Sequence, residues 1–297
     1  MIRKLLFKMN QNFGRYIFKN SNNLYNNIFN LSHKILISKK TNNPYIIKFL
    51  KHGFFKLNVN SLDFSIKLSN ELKLQQPNDN KGYFHFEITD QIKNMIKRHI
   101  NENFKDILNN FEKYFNAKIS VAKVQIKRNY NIDNFSSEVY SNNYHVDHNT
   151  YNHFKLFINL MDIEKKNGPL HIYSKKNTKI FIKKNKYKNR NNYLNNELNN
   201  ELYVNEGKQG DSLIADTSVC LHKAGKVFKN HYRDILFITF ITIPKKIETK
   251  DFFYFDQIYP ESIWKPVGGS EIIKIAKPSS FRDMVSTFIN YYRAKLN

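Results

Sequence analysis

From about Lys118 onward this chain breaks into short runs rich in branched and aromatic residues: ISVAKVQI, HFKLFINLMDI, PLHIYS, DSLIADT and DILFITFITI. Each run is short for a helix, and polar turns separate them, so they predict the strands of a β-sandwich or barrel. The residues ahead of them carry a different period. DQIKNMIKRHINENFKDILNNFEKYF, from Asp90 to Phe115, spaces its apolar residues by three and four and predicts a helix with Asp90 as N-cap. PYIIKFLKHGFFKLNV predicts a short helix stopped at Gly53 and then a strand, Phe54 to Val59. Residues 1–45 suggest two amphipathic helices ahead of Pro44. The expected fold is mainly β with flanking helices: a basic helical extension over 1–45, then a single domain over 46–297. An Asn- and Lys-rich insertion at about 181–207, FIKKNKYKNRNNYLNNELNNELYVNEG, reads as a solvated surface loop.

With 297 residues and 41% hydrophobic content the chain can bury a substantial core. The single cysteine, Cys220, excludes an internal disulfide and a four-cysteine zinc site, and it fits a reducing compartment. Metal chemistry here would need His and carboxylate ligands. No apolar run approaches the roughly 20 residues needed to span a bilayer, so no membrane span is expected and the protein reads as cytoplasmic. The first acidic residue is Asp63, and the purely basic start has some look of a mitochondrial transit peptide, the lesser alternative. The net charge of +23 would ordinarily suggest a polyanion partner. Its lysines are dispersed along the whole chain among many Asn rather than clustered, so no specific nucleic-acid partner is expected. There is no internal repeat, P-loop, dinucleotide fingerprint or Gly-x-Ser-x-Gly elbow.

Chemistry concentrates in one stretch. In HVDH, His145 and Asp147 are two apart, so in extended chain both side chains project from one face. A third ligand must come from elsewhere, and QGDSLIADTSVCLHKAGKVFKNHYRDILFITFIT offers His222. Two His and one carboxylate on one face of a metal leave the opposite positions open, as in non-haem Fe(II) oxygenases. Arg233 follows His222 by eleven residues. A hairpin of that length can bring its guanidinium to the same barrel mouth, to grip a carboxylate in bidentate fashion. His-x-Asp alone is a weak signal. The order His-x-Asp, Gly-Pro-Leu strand, Gly-Asp, His, then Arg is far more specific.

At this point the sequence resembles the phytanoyl-CoA dioxygenase family, a branch of the Fe(II)- and 2-oxoglutarate-dependent oxygenases built on a double-stranded β-helix (a jelly-roll, cupin-like core). The resemblance runs from about Lys51 to Pro244 and is strongest in HVDH, KLFINLMDIEKKNGPLHIYS and GDSLIADTSVCLHKAG. It implies iron ligands His145, Asp147 and His222, with Arg233 on the distal carboxylate of 2-oxoglutarate. The implied cofactors are Fe(II), 2-oxoglutarate as cosubstrate and O2. The implied reaction hydroxylates an unactivated C–H of a small-molecule or acyl substrate and releases succinate and CO2. Asp147 stands where related halogenases have a small residue, which favours hydroxylation. The chain departs from the family at YSKKN, where a Pro-Gly-Ser-His run is missing, and at Ala224, where a Ser or Thr is common.

Other residues have plainer readings beside the functional one. Lys155, Phe157 and Asn159 alternate on one face of the strand after HVDH, and Phe157 and Asn159 are cosubstrate-contact candidates if that face lines the barrel; Phe157 as ordinary core is the competing reading. A buried Asn159 needs hydrogen-bond partners. His148, His153 and His171 are expected at the surface or behind the ligands, and His231 in a loop. Asp216 is expected either to hold a ligating His or to close a turn. Two rival functions remain: a cupin-type metalloenzyme without 2-oxoglutarate, and a binding or scaffold protein that keeps the fold without turnover.

Overall fold

The computed structural model describes residues 41–115, 118–133, 138–147, 153–184 and 202–243. The two helices expected before Pro44, His148, most of the Asn-rich insertion and the aromatic C-terminal segment lie outside the described residues.

The described strands form two antiparallel sheets. The larger runs β1 (Phe54–Leu57), β7 (Ser212–Ala215), β4 (His153–Asn159), β9 (Tyr232–Ile243), β3 (Lys118–Tyr130), β2 (Tyr83–His85). The smaller runs β6 (Leu202–Asn205), β5 (Leu170–Tyr173), β8 (His222–Ala224), and a bridge between His145 and His222 adds the HVDH segment to its edge. All five runs read from the sequence are strands. β2, β6 and β8, of three or four residues each, were not among them. β6 corrects the insertion, whose last residues, LYVN, are strand rather than loop.

Five helices accompany the sheets among the described residues: α1 (Pro44–His52), α2 (Leu62–Leu72), α3 (Asp90–Asn103), α4 (Lys105–Phe115) and α5 (Lys175–Lys184). α1 starts and stops as its sequence dictates. Asn43 caps the amides of Tyr45 and Ile46, Pro44 occupies the first turn, and Gly53 ends the helix at φ 86°. A Cβ on Gly53 would also stand 2.2 Å from Cys220 Sγ, so both conformation and space require glycine there. The single helix expected over Asp90–Phe115 is instead two, α3 and α4, meeting at Phe104, which is 1% exposed. A straight helix of that length would run about 39 Å, too far to stay over this sheet, and the break lets both halves bury their apolar sides. Its N-cap is Thr89 rather than Asp90: the Thr89 hydroxyl accepts from Ile92 N–H at 3.3 Å. Asp90 sits in the first turn, where its charge suits the helix dipole.

Helices α1 to α4 cover one face of the large sheet and share the main core with it. Phe111 is its centre, edge-on to Phe49 at 4.9 Å and stacked on Phe154 of β4 at 4.6 Å between centroids. Sheet residues on this side include Ile119, Val121, Val124, Ile126, Leu156, Ile158, Leu236 and Ile238. The side switches parity along β3, odd positions before Val121 and even after it, because a bulge interrupts the register between Val121 and Lys123. Beyond the bulge, Lys123, Gln125, Lys127 and Asn129 therefore face the other way, toward the small sheet. There they share a surface with Arg233, Ile235, Phe237 and Thr239 of β9 and with Lys155, Phe157 and Asn159 of β4. A second apolar cluster joins the sheets on this inner side, with Phe157, Leu213 and Ile235 from one and Leu170 and Ile172 from the other.

Candidate metal centre and the cationic wall behind it

His145 and His222 are brought together by the backbone. Each donates its amide to the other's carbonyl at 2.9 Å, which sets their rings 4.3 Å apart between centroids. Asp147 is fixed two residues on, its amide bonded to Thr217 O at 2.8 Å. The segment ahead of His222 is held by α5: Leu221 N–H donates to Thr178 Oγ1 at 2.9 Å, and Tyr173 N–H donates to Leu221 O at 2.9 Å.

Both imidazoles are oriented for coordination. His145 Nδ1 lies 2.8 Å from Asn143 O, and His222 Nδ1 lies 2.9 Å from Cys220 O. A carbonyl only accepts, so each Nδ1 carries a proton, and each Nε2 is turned toward Asp147, at 3.6 Å from His145 and 3.8 Å from His222. Burial, with His145 beside it, lowers the His222 pKa to about 3, so the ring is neutral as a metal ligand must be. One ligand atom from each of His145, Asp147 and His222 lies within 4.8 Å of the others, so the set expected from the sequence does converge. Burial alone would raise the Asp147 carboxyl, but Lys155 and the surrounding histidines outweigh it and hold the group well below the usual carboxylate range.

Lys155 Nζ stands 2.6 Å from Asp147 Oδ2, an ion pair outside hydrogen-bond geometry. His153, 1% exposed, sets Nε2 3.6 Å from the same oxygen and 3.1 Å from Thr217 Oγ1. It therefore backs the carboxylate and is not at the surface. Asp216 touches neither ligand histidine: it accepts from Ser218 Oγ at 2.5 Å, pairs with Lys175 at 2.8 Å, and its carbonyl closes the turn to Cys220. The turn role is thus the one the fold uses. His171 is half-buried on β5, and His231 lies in the turn before β9.

Arg233 is 4% exposed at the start of β9 and opposite Asn129. One guanidinium nitrogen donates to Gly168 O and Nε has no partner. Among the described residues no carboxylate reaches it. Burial lowers its pKa to about 10, which still leaves it charged. A buried guanidinium with donors to spare has hydrogen-bonding capacity that the chain's own packing does not use. Gly168, at φ 67°, shapes the turn that meets it; a Cβ there would stand 2.5 Å from Gly225 O. Phe157 is 8% exposed in the inner apolar cluster, where it packs as core. Asn159 is 1% exposed and its Oδ1 is unpaired, while Nδ2 reaches Lys208 O only at 3.5 Å.

Sequence reading missed the rest of this wall. Lys123 is buried, and Lys127 lies between the Tyr83 and Phe237 rings at 5.9 and 5.5 Å. No signal in the sequence marked it: Lys-x-Gln-x-Lys-x-Asn in KVQIKRN is the alternation of a strand with one face in water.

No known family model matches the chain, and no curated protein does. Solved structures similar to it include the non-heme alpha-ketoglutarate-dependent epimerase SnoN from nogalamycin biosynthesis, at 11% identity and a TM-score of 0.47 over 76% of this chain and 94% of that one. Another is EctD from S. alaskensis with 2-oxoglutarate and 5-hydroxyectoine, at 14% identity and 0.47 over 71% and 81%. A third is HygX from Streptomyces hygroscopicus with nickel and 2-oxoglutarate, at 12% identity and 0.45 over 68% and 87%.

Proposed function

We propose that the chain is an Fe(II)- and 2-oxoglutarate-dependent dioxygenase that hydroxylates a small molecule. The observation that carries this is the pair of features in one interior: two imidazoles and a carboxylate converging from β8 and the HVDH segment, and a buried, partly unpaired Arg233 on the facing sheet. The first feature fits a metal with open positions. The second gives a use to a guanidinium that a metal-only cupin would not need, which favours 2-oxoglutarate over the rival without it. The strand orders β7-β4-β9-β3 and β6-β5-β8 with its His145 edge support reading the two sheets as a double-stranded β-helix, in one cytoplasmic oxygenase domain over residues 46–297.

In this reading His145, Asp147 and His222 hold the iron, Arg233 neutralises the distal carboxylate of 2-oxoglutarate, and Phe157 and Asn159 flank the cosubstrate. Bound iron with 2-oxoglutarate and O2 supplies the oxidising chemistry, with succinate and CO2 as coproducts. The chain's own part is to orient the substrate C–H bond and to keep the interior dry.

The test is anaerobic Fe(II) calorimetry on wild type, His145→Ala, Asp147→Ala and His222→Ala, followed by succinate assays. One iron per wild-type chain, lost in all three variants, is expected. Unchanged iron affinity in the variants rejects the centre, and iron binding without any 2-oxoglutarate response selects the rival.

A further inference from the structure

The inner face of the large sheet carries more positive charge than the proposed centre can use. Lys123, Lys127, Lys155 and Arg233 line it, and the one carboxylate among them is Asp147. Asp147 is taken by Lys155. If a metal dication and the 2-oxoglutarate dianion bind as proposed, their charges cancel and the surplus of three cations stands. Burying charge without a partner is unfavourable enough that lysines almost never sit inside unpaired.

The two lysines of β3 are the unclaimed ones. The bulge after Val121 turns Lys123 inward, and the strand period then places Lys127 on the same side with Gln125 between them. No carboxylate among the described residues lies within ion-pair distance of either. Lys127 stands over the rings of Tyr83 and Phe237, and Lys155 Nζ is 5.6 Å from the same Phe237 centroid. His85, the residue opposite Lys127 on β2, brings no negative charge.

We infer, on the basis of the oxygenase reading above, that the substrate carries an anionic group, a carboxylate or a phosphate, and that Lys123 and Lys127 hold it. The two lysines stand four residues apart on one side of one strand, about 13 Å between Cα atoms, so their long side chains can close on an anion from either end, and Gln125 offers a neutral donor between them. The charge states agree. Burial and the neighbouring cations lower Lys123 to about 7 and Lys127 to about 8, so an empty site is partly discharged and an arriving anion restores both charges.

The experiment uses the full chain, loaded with Ni(II) as an inert metal and saturating 2-oxoglutarate, titrated calorimetrically with methyl phosphate. Wild type should bind it without displacing 2-oxoglutarate. Lys123→Met and Lys127→Met should each weaken it by about tenfold, the double variant should lose it, and Lys127→Arg should keep most of it. Neither lysine variant should alter 2-oxoglutarate affinity, and both should melt above wild type in anion-free buffer, since a buried unpaired charge has been removed. Three results overturn the inference: no binding by wild type, equal binding by the double variant, or competition between methyl phosphate and 2-oxoglutarate, which would give the lysines to the cosubstrate. The competition arm uses wild type alone, so it decides even if a variant misfolds. Should metal and 2-oxoglutarate fail to bind while methyl phosphate still binds through the lysines, the oxygenase reading falls and the anion site stands.

Discussion

Lys155 Nζ lies 2.6 Å from Asp147 Oδ2, on the side of the carboxylate that also faces His153 and His222. In the empty protein the ammonium does for Asp147 what a metal would do: it balances a buried negative charge. Lys155→Met should therefore destabilise the metal-free protein by about 3 kcal/mol, the lower end for breaking a buried pair. Metal should restore most of that loss, so the rise in Tm on adding Zn(II) should be larger in the variant than in wild type. Equal rises would mean that Lys155 and the metal do not share the carboxylate.

Arg233 should control 2-oxoglutarate affinity and leave the metal alone. Arg233→Ala removes two charge-assisted hydrogen bonds to a buried carboxylate, about 3–5 kcal/mol, or roughly two to four powers of ten in Kd. Arg233→Lys should recover only part, lacking the fork. The readout is the 2-oxoglutarate-dependent absorbance of the anaerobic Fe(II) protein. Identical titrations in all three proteins would dispose of the cosubstrate assignment.

Acid sensitivity should come partly from His99, far from the site. Its ring stacks on Phe64 at 3.9 Å, Nε2 meets Ser61 Oγ at 2.9 Å, and Nδ1 meets the Asn103 amide nitrogen at 3.1 Å. Nδ1 thus accepts and the ring is neutral; burial lowers its pKa to about 4. An unfolded histidine titrates near 6.5. Between those values the unfolded chain takes up a proton that the native one refuses, so stability falls as pH drops from about 6.5 to 4, by about 2 kcal/mol after allowing for partial solvent screening. Urea melts of wild type and His99→Gln should show a pH slope near pH 5 that is lower in the variant by about one proton. Parallel slopes would show that His99 is not the titrating group.

Phe111 should dominate the helix-to-sheet core. It is fully buried between Phe49 of α1 and Phe154 of β4, and Phe154 in turn stacks on Phe240 of β9 at 5.2 Å. Phe111→Ala should lower stability by about 3–5 kcal/mol, measured by denaturant unfolding, while Phe111→Leu should lose less than half of that. A loss under about 1 kcal/mol for the alanine variant would mean that the helices pack on the sheet without it.

What the sequence determined by itself is what local period and spacing carry. Short runs rich in branched and aromatic residues between polar turns made β3, β4, β5, β7 and β9 legible, and the two-residue period of extended chain put His145 and Asp147 on one side of their segment. Gly53 announced the end of α1 because a left-handed C-cap is decided within a few residues. The order of His145, Asp147, His222 and Arg233 was readable for the same reason. Only tertiary structure decided the rest. The break at Phe104 depends on the extent of the sheet beneath α3 and α4, and the coordinating tautomers of His145 and His222 depend on the carbonyls of Asn143 and Cys220. The inward turn of Lys123 depends on one bulge, which reverses every residue after it. A dispersed +23 chain gave no hint that four of its cations would share an interior with a single carboxylate, because charge clustering across strands is a property of register, and register is set by pairing between segments more than a hundred residues apart.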